Sequence, residues 1–114
     1  MRMIFVQLSA FRAKWLNLRL SDDDLRALEG RLIADPEAGD VIPGTGGLRK
    51  LRFAPPTQHR GKRGALRVIY AFVTVGDVIY LFTLYGKNEQ SDLQPEEKKI
   101  FRQVLGRLRE RYTR

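Results

Sequence analysis

Hydrophobic positions along the chain change rhythm several times, and each change marks an element. Residues 3–8 are dense in β-branched and aromatic side chains, which predicts a first strand. Over residues 10–18, Phe11, Trp15 and Leu18 fall at i, i+4 and i+7, the spacing of one helical face. Trp15 therefore reads as core rather than as a base-stacking side chain. A second helix is marked by Ser21 as a cap, by Asp22, Asp23 and Asp24 at the positive end of the helix dipole, and by the stripe Leu25, Leu28 and Leu32. Pro36 stops it, because the residue before a proline disfavours the helical region.

Residues 39–47, GDVIPGTGG, hold four glycines and a proline and predict a loop. It is not a P-loop, since no GxxxxGK[ST] pattern is present. Three strands follow, at 48–53, 65–75 and 78–85, the last two joined through Gly76 and Asp77 as a tight antiparallel hairpin. The link between the first two, APPTQHRGKRG at 54–64, reads as a mobile basic loop. Val68, Tyr70 and Phe72 alternate with Ile69 and Ala71, so the central strands are apolar on both faces and must be covered on each side. Pro95, with Glu96 and Glu97 behind it, opens a last helix whose stripe is Ile100, Phe101, Val104, Leu105 and Leu108. That stripe suits either the chain's own sheet or another chain. The expectation is one α+β domain over residues 1–114, without repeats, linkers or low-complexity tracts.

Composition narrows the possibilities. With 43% hydrophobic residues in 114, one core can form unaided, and with no cysteine there is no disulfide, thiolate metal site or cysteine nucleophile. The longest apolar run, within residues 78–84, is far shorter than the roughly 20 residues that span a bilayer. The N-terminal segment lacks the long apolar stretch and cleavage site of a secretory signal, so a soluble cytoplasmic protein is expected. The net charge of +8 is unevenly placed. Between Asp40 and Asp77 there is no acid, yet Arg49, Lys50, Arg52, Arg60, Lys62, Arg63 and Arg67 all lie there. Elsewhere acids and bases nearly balance. A concentrated cationic field is the footprint of a nucleic-acid binder, although a solvated basic hairpin that only maintains solubility has the same charge.

Strand alternation places Lys50 and Arg52 together on the face opposite Leu51 and Phe53. Arg67 opens the next strand, and Tyr85 and Lys87 share a face at the end of the last one. If these strands are neighbours, the side chains line one basic surface. The alternative is that Tyr85 packs into the core while the cations fringe the sheet. His59, the only histidine, sits in a loop and cannot form a histidine acid-base pair, and the carboxylates form no metal-binding cluster. No metal or cofactor is expected. RNA brings its own nucleophile in the 2′-hydroxyl, and arranged cations can stabilise the charge that develops on the phosphate. Lys50 or Lys87 is then the candidate general base or acid.

The strings GDVIPGTGGLRKLRF, GKRGALRVIY and IYLFTLYGKNEQSDL followed by PEEKK, in this order over nearly the whole chain, resemble the RelE/HigB-type toxins of type II toxin-antitoxin systems. The resemblance implies a microbial-RNase-like fold, with two N-terminal helices packed on an antiparallel sheet and a C-terminal helix. It implies binding at the ribosomal A site, cleavage of mRNA by 2′-hydroxyl attack, and neutralisation by a cognate antitoxin, expected to be a helix-turn-helix protein. Lys50 and Arg52 resemble the family's basic second-strand residues, Arg67 the arginine opening the third, and Lys87 the lysine after the fourth. Asn88 stands where some relatives have arginine, and Tyr85 replaces a tyrosine that others carry near the C-terminus, where this chain has Tyr112. The expected catalytic set is Lys50, Arg52, Arg67, Tyr85 and Lys87; Arg49, Arg60, Lys62, Arg63 and Asn88 are expected to hold RNA. Two other functions compete. A non-catalytic RNA- or ribosome-binding module explains the charge equally well, whereas a ParE-like gyrase-directed toxin does not need the seven clustered cations.

Overall fold

The computed structural model describes residues 2–58 and 64–111. The elements are β1 (Ile4–Gln7), α1 (Ser9–Asn17), α2 (Asp22–Ala34), β2 (Asp40–Val41), β3 (Arg49–Phe53), a short 3-10 turn (Pro56–Gln58), β4 (Leu66–Val73), β5 (Val78–Gly86) and α3 (Pro95–Glu110). Five strands form one sheet in the order β1-β5-β4-β3-β2. The architecture is α+β, as the alternation of patterns predicts.

The sheet separates two apolar clusters. On one face Phe11, Trp15, Leu28 and Leu32 from α1 and α2 meet Leu51, Val68, Tyr70, Ile79, Leu81 and Leu84. On the other, Leu105 and Leu108 of α3 meet Ile69, Ala71, Val73, Tyr80, Phe82 and Tyr85. Covering both faces explains why β5 is buried from Val78 to Tyr85. Phe11 and Trp15 stack with ring centroids 5.4 Å apart, so Trp15 is core.

The sheet departs from the expectation in three ways. It is mixed rather than antiparallel: β1 pairs with β5 in parallel, from Ile4↔Val78 to Gln7↔Leu81. β1 leads straight into α1 and belongs to no hairpin, so no tight turn forces it to run antiparallel. Second, the glycine-rich segment expected to be all loop contributes the two-residue edge strand β2, in register Asp40↔Lys50 and Val41↔Arg49. Two residues are too few to carry a periodic signal. The rest is a turn in which Gly44, Gly46 and Gly47 have positive φ, and the buried Thr45 hydroxyl donates to the Ile42 carbonyl while accepting from the Leu48 N–H. Third, β4 ends at Val73, so the hairpin connection is four residues long, with both Gly76 and Asp77 at positive φ.

A bulge in β5 sets which side chains face which helix. Ile69 pairs with Thr83 but Tyr70 with Leu81, leaving Phe82 as an extra residue. The alternation therefore switches: Val78, Tyr80 and Phe82 point to α3, and so does Tyr85, while Ile79, Leu81 and Leu84 point to α1 and α2. An unbroken strand would have sent Tyr85 to the opposite face.

Ser21 caps α2 as expected, accepting from the Asp24 N–H at 3.1 Å. Asp24 does more than favour the dipole. Fully buried, its carboxylate accepts from the Ser21 N–H and hydroxyl, both at 3.0 Å, and from the Thr57 N–H at 3.0 Å and Thr57 hydroxyl at 2.6 Å. It thereby ties the segment after β3 to the start of α2. Burial alone would push this carboxyl up, but the hydrogen bonds from Ser21 and Thr57 outweigh it and hold it below the ordinary carboxylate value. Its stabilisation is thus complete above the unfolded carboxyl range, near about 3.9, and is lost as pH falls through the lower folded value. Asp24→Ala is expected to lower unfolding free energy at neutral pH by about 1–3 kcal/mol, read as a lower urea midpoint with unchanged slope. The gap between variant and wild type should narrow below about pH 4; a gap that stays constant into acid would contradict this role.

Candidate nucleic-acid interface

Three strand ends build the basic surface. In the β3–β4 ladder Arg52 is the direct partner of Arg67, and in the β4–β5 ladder Arg67 is the partner of Tyr85. One row thus runs Arg52, Arg67, Tyr85 across the sheet, and the next runs Lys50, Ile69, Thr83. Leu51 and Phe53 are buried against α2, which turns Lys50 and Arg52 to the α3 side as alternation predicts.

Lys50, Arg52 and Arg67 line an open cavity of about 460 Å³, together with Arg31, Asp40 and Ser91. The cavity lies at the free edge of β3, because β2 pairs only with Arg49 and Lys50 and stops there. Arg31 reaches over that edge from α2 and donates to the Arg52 carbonyl at 2.8 Å, satisfying a backbone acceptor that β2 leaves unpaired. The cavity's outer wall is held by Tyr70, whose hydroxyl donates to the Pro36 carbonyl and accepts from the Gly39 N–H, each at 2.9 Å. Gly39 is required there, since a Cβ would lie 2.9 Å from both the Lys50 carbonyl oxygen and the Tyr70 ring.

The charges are not equally compensated. Lys50 Nζ lies 3.7 Å from a carboxylate oxygen of Asp92. Among the described residues, no carboxylate forms an ion pair with Arg52 or Arg67; Arg67 donates to the Ala65 carbonyl at 2.6 Å. Like charges directly opposite across a ladder are destabilising. Two such guanidinium groups, one exposed and one half-buried, favour an anion placed between them.

The other expected site residues are placed differently. Tyr85 shares the row but is only 1% exposed and packs among the residues under α3, and its hydroxyl has no partner among the described residues. Burial, reinforced by Asp92, pushes its phenol up to about 12, against the opposing effect of Arg67, with Glu97 adding to the rise. It is thus a protonated side chain beneath the site. Arg49 faces α2, where it donates to the carbonyls of Glu37 and Gly39 at 3.2 and 2.8 Å and pairs with the Glu37 carboxylate at 3.0 Å, so it is apart from Lys50 and Arg52. Lys87 and Asn88 are exposed in the turn after β5 and do not line the cavity. Arg60, Lys62, Arg63, His59 and Tyr112 lie outside the described residues.

Sequence reasoning missed Arg31, Asp40, Ser91 and Asp92. Asp40 had a usable signal, being the acid that bounds the cationic segment; the other three come from elements whose proximity only the tertiary fold creates. Among the described residues, no group of three or more histidine, cysteine or acidic side chains could hold a metal ion, and no helix is long and apolar enough to cross a membrane. No protein-family model matches the chain.

The uncompensated Tyr85 hydroxyl makes a direct prediction. Tyr85→Phe should leave stability unchanged or raise it by up to about 1 kcal/mol, since an unpaired buried hydroxyl is removed at almost constant shape. In an ultraviolet titration of tyrosinate formation, the component near pH 12 should vanish. A loss of stability would mean that the hydroxyl has a partner.

Proposed function

We propose that this chain is the toxin component of a toxin-antitoxin module, a ribosome-dependent mRNA endoribonuclease that stops translation. The observation that carries the reading is the Arg52–Arg67 pair, set directly opposite on one open face without a carboxylate partner and flanked by Lys50. The order of the strings GDVIPGTGGLRKLRF, GKRGALRVIY and IYLFTLYGKNEQSDL, which resembles the RelE/HigB-type toxins, supports the same reading.

The chemistry follows from what the side chains can do. The ribose 2′-oxygen attacks the adjacent phosphorus as its proton leaves, the bond from phosphorus to the 5′-oxygen breaks, and that oxygen gains a proton. The products are a 2′,3′-cyclic phosphate and a 5′-hydroxyl end. Arg52 and Arg67 stabilise the charge on the non-bridging oxygens, a role suited to preorganised guanidinium groups. Lys50 is the described cation placed to serve one of the reacting oxygens, and Lys87, one residue beyond β5, completes the proposed set from the rim. The buried, protonated Tyr85 supports Arg67 from below rather than exchanging protons with solvent. The partners are the ribosome with its mRNA, and an antitoxin that covers the cations.

A second reading, a basic module that binds RNA without cutting it, is favoured by one fact: Tyr85 is buried, so its hydroxyl is not presented beside the cations of this face. The experiment that separates the two incubates purified protein with programmed ribosomes and maps the ends formed. Cuts at defined codon positions bearing cyclic phosphate are expected. Arg67→Ala should slow cleavage by about 100- to 1000-fold, the usual cost of removing one preorganised donor, while ribosome binding changes only a few-fold. Cleavage at the wild-type rate would remove Arg67 from the site, and binding without any cleavage by the wild type would establish the non-catalytic module.

A further inference from the structure

The segment between β5 and α3 crosses the basic face and is fastened at several points. Glu89 takes a hydrogen bond from Lys14 of α1, which holds its carboxyl below the ordinary value. Gln90 donates to Glu97 at the start of α3 at 3.1 Å and to the Asp92 carbonyl at 2.8 Å, and Leu93 is buried. Between these anchors Ser91 lines the cavity and Asp92 faces Lys50. Asp92 is itself oriented, because the same carboxylate oxygen accepts from the Leu93 N–H at 2.8 Å. Asp40, across the ladder from Lys50, adds a second negative charge to this end of the cavity. The site thus divides into an uncompensated arginine pair and a lysine already supplied with a counter-ion.

We propose that Asp92 is a selectivity residue that competes with the ligand for Lys50, so that the site engages Lys50 only with a polyanion already anchored on Arg52 and Arg67. The inference rests on the RNA-binding reading above. Lys50 and Arg52 are two residues apart on one strand face, roughly 6.7 Å along it. A single phosphate on the arginine pair therefore leaves the Lys50–Asp92 pair intact. An RNA strand held there brings more of its sugar–phosphate backbone towards Lys50 at high effective concentration and must displace Asp92. Building a repulsive charge against the wrong ligands is a general route to selectivity. Here it disfavours isolated anions and weak encounters with polyanions, and favours a strand correctly seated in register.

Two probes test this: a short 2′-O-methylated oligoribonucleotide, which cannot be cleaved, and inorganic phosphate. Asp92→Asn keeps an oxygen to accept from the Leu93 N–H while removing the charge. It should tighten oligonucleotide binding by about two- to fivefold, the range for a partly exposed ion pair. The slope of log K against log salt should stay nearly the same, because the seated strand makes the same phosphate contacts in both proteins. Phosphate affinity should stay the same, and Lys50→Ala in the Asp92→Asn background should abolish the gain. Asp92→Ser, with the charge removed differently, should change oligonucleotide binding in the same direction, and thermal unfolding identifies any variant that has lost its fold.

Oligonucleotide binding no tighter in both folded Asp92 variants would overturn the proposal, as would equal tightening of phosphate, which would place the competition at the arginines. If Arg67→Ala leaves oligonucleotide binding unchanged, the RNA reading itself fails and takes the proposal with it. If Arg67→Ala weakens binding but neither Asp92 variant strengthens it, only the role of Asp92 is lost.

Discussion

Two arginines held face to face across the β3–β4 ladder are the constraint around which the basic face is organised. The Arg52–Arg67 register follows from the pairing of Leu51 with Val68 and of Phe53 with Leu66, whose apolar side chains are buried under α1 and α2. A slip of β3 by one residue would send Lys50 and Arg52 into that core and Leu51 and Phe53 out to the basic face. The hydrophobic sheet thus holds two like charges in a position that they would not choose. Relief can come from an anion, because no carboxylate among the described residues forms an ion pair with either of them.

Much of this arrangement was legible in the chain. Alternation alone puts Lys50 and Arg52 opposite Leu51 and Phe53, and the gap in acids between Asp40 and Asp77 marks where cations accumulate. The cap at Ser21, the stop before Pro36 and the start of α3 at Pro95 are set by local chemistry and appear where that chemistry requires. What escaped is what depends on distant partners. The direction of β1 is decided by β5, more than seventy residues later, and β2 exists only because Arg49 and Lys50 lie beside it. The bulge at Phe82 is the subtlest case. The run VIYLFTLY is apolar but for the buried Thr83, so nothing in it shows where the alternation switches, and with it the side on which Tyr85 lies.

Two residues draw their roles from partners that only the fold supplies. Arg49 belongs to the basic segment by sequence, but its neighbours in space are Glu37 and Gly39, and it serves to fasten the chain after α2 to β3. Asp24 looked like one of three acids at a helix start; its burial and its bonds to Thr57 make it a tie between the two ends of the α2–β3 segment. Asp92 lies far from Lys50 in sequence and close to it in space. In each case charge type was readable and charge partner was not, because partners are chosen by the fold.

The central claim, that the opposed arginines form an anion site, is tested most directly by thermal unfolding in increasing inorganic phosphate at constant ionic strength, comparing wild type with Arg52→Gln and Arg67→Gln. The account predicts that each variant equals or exceeds the wild type in stability without phosphate, since the repulsion is gone. It also predicts that phosphate raises the unfolding temperature of the wild type by several degrees and of the variants hardly at all. Equal stabilisation of all three proteins by phosphate, or variants less stable than the wild type in its absence, would contradict it.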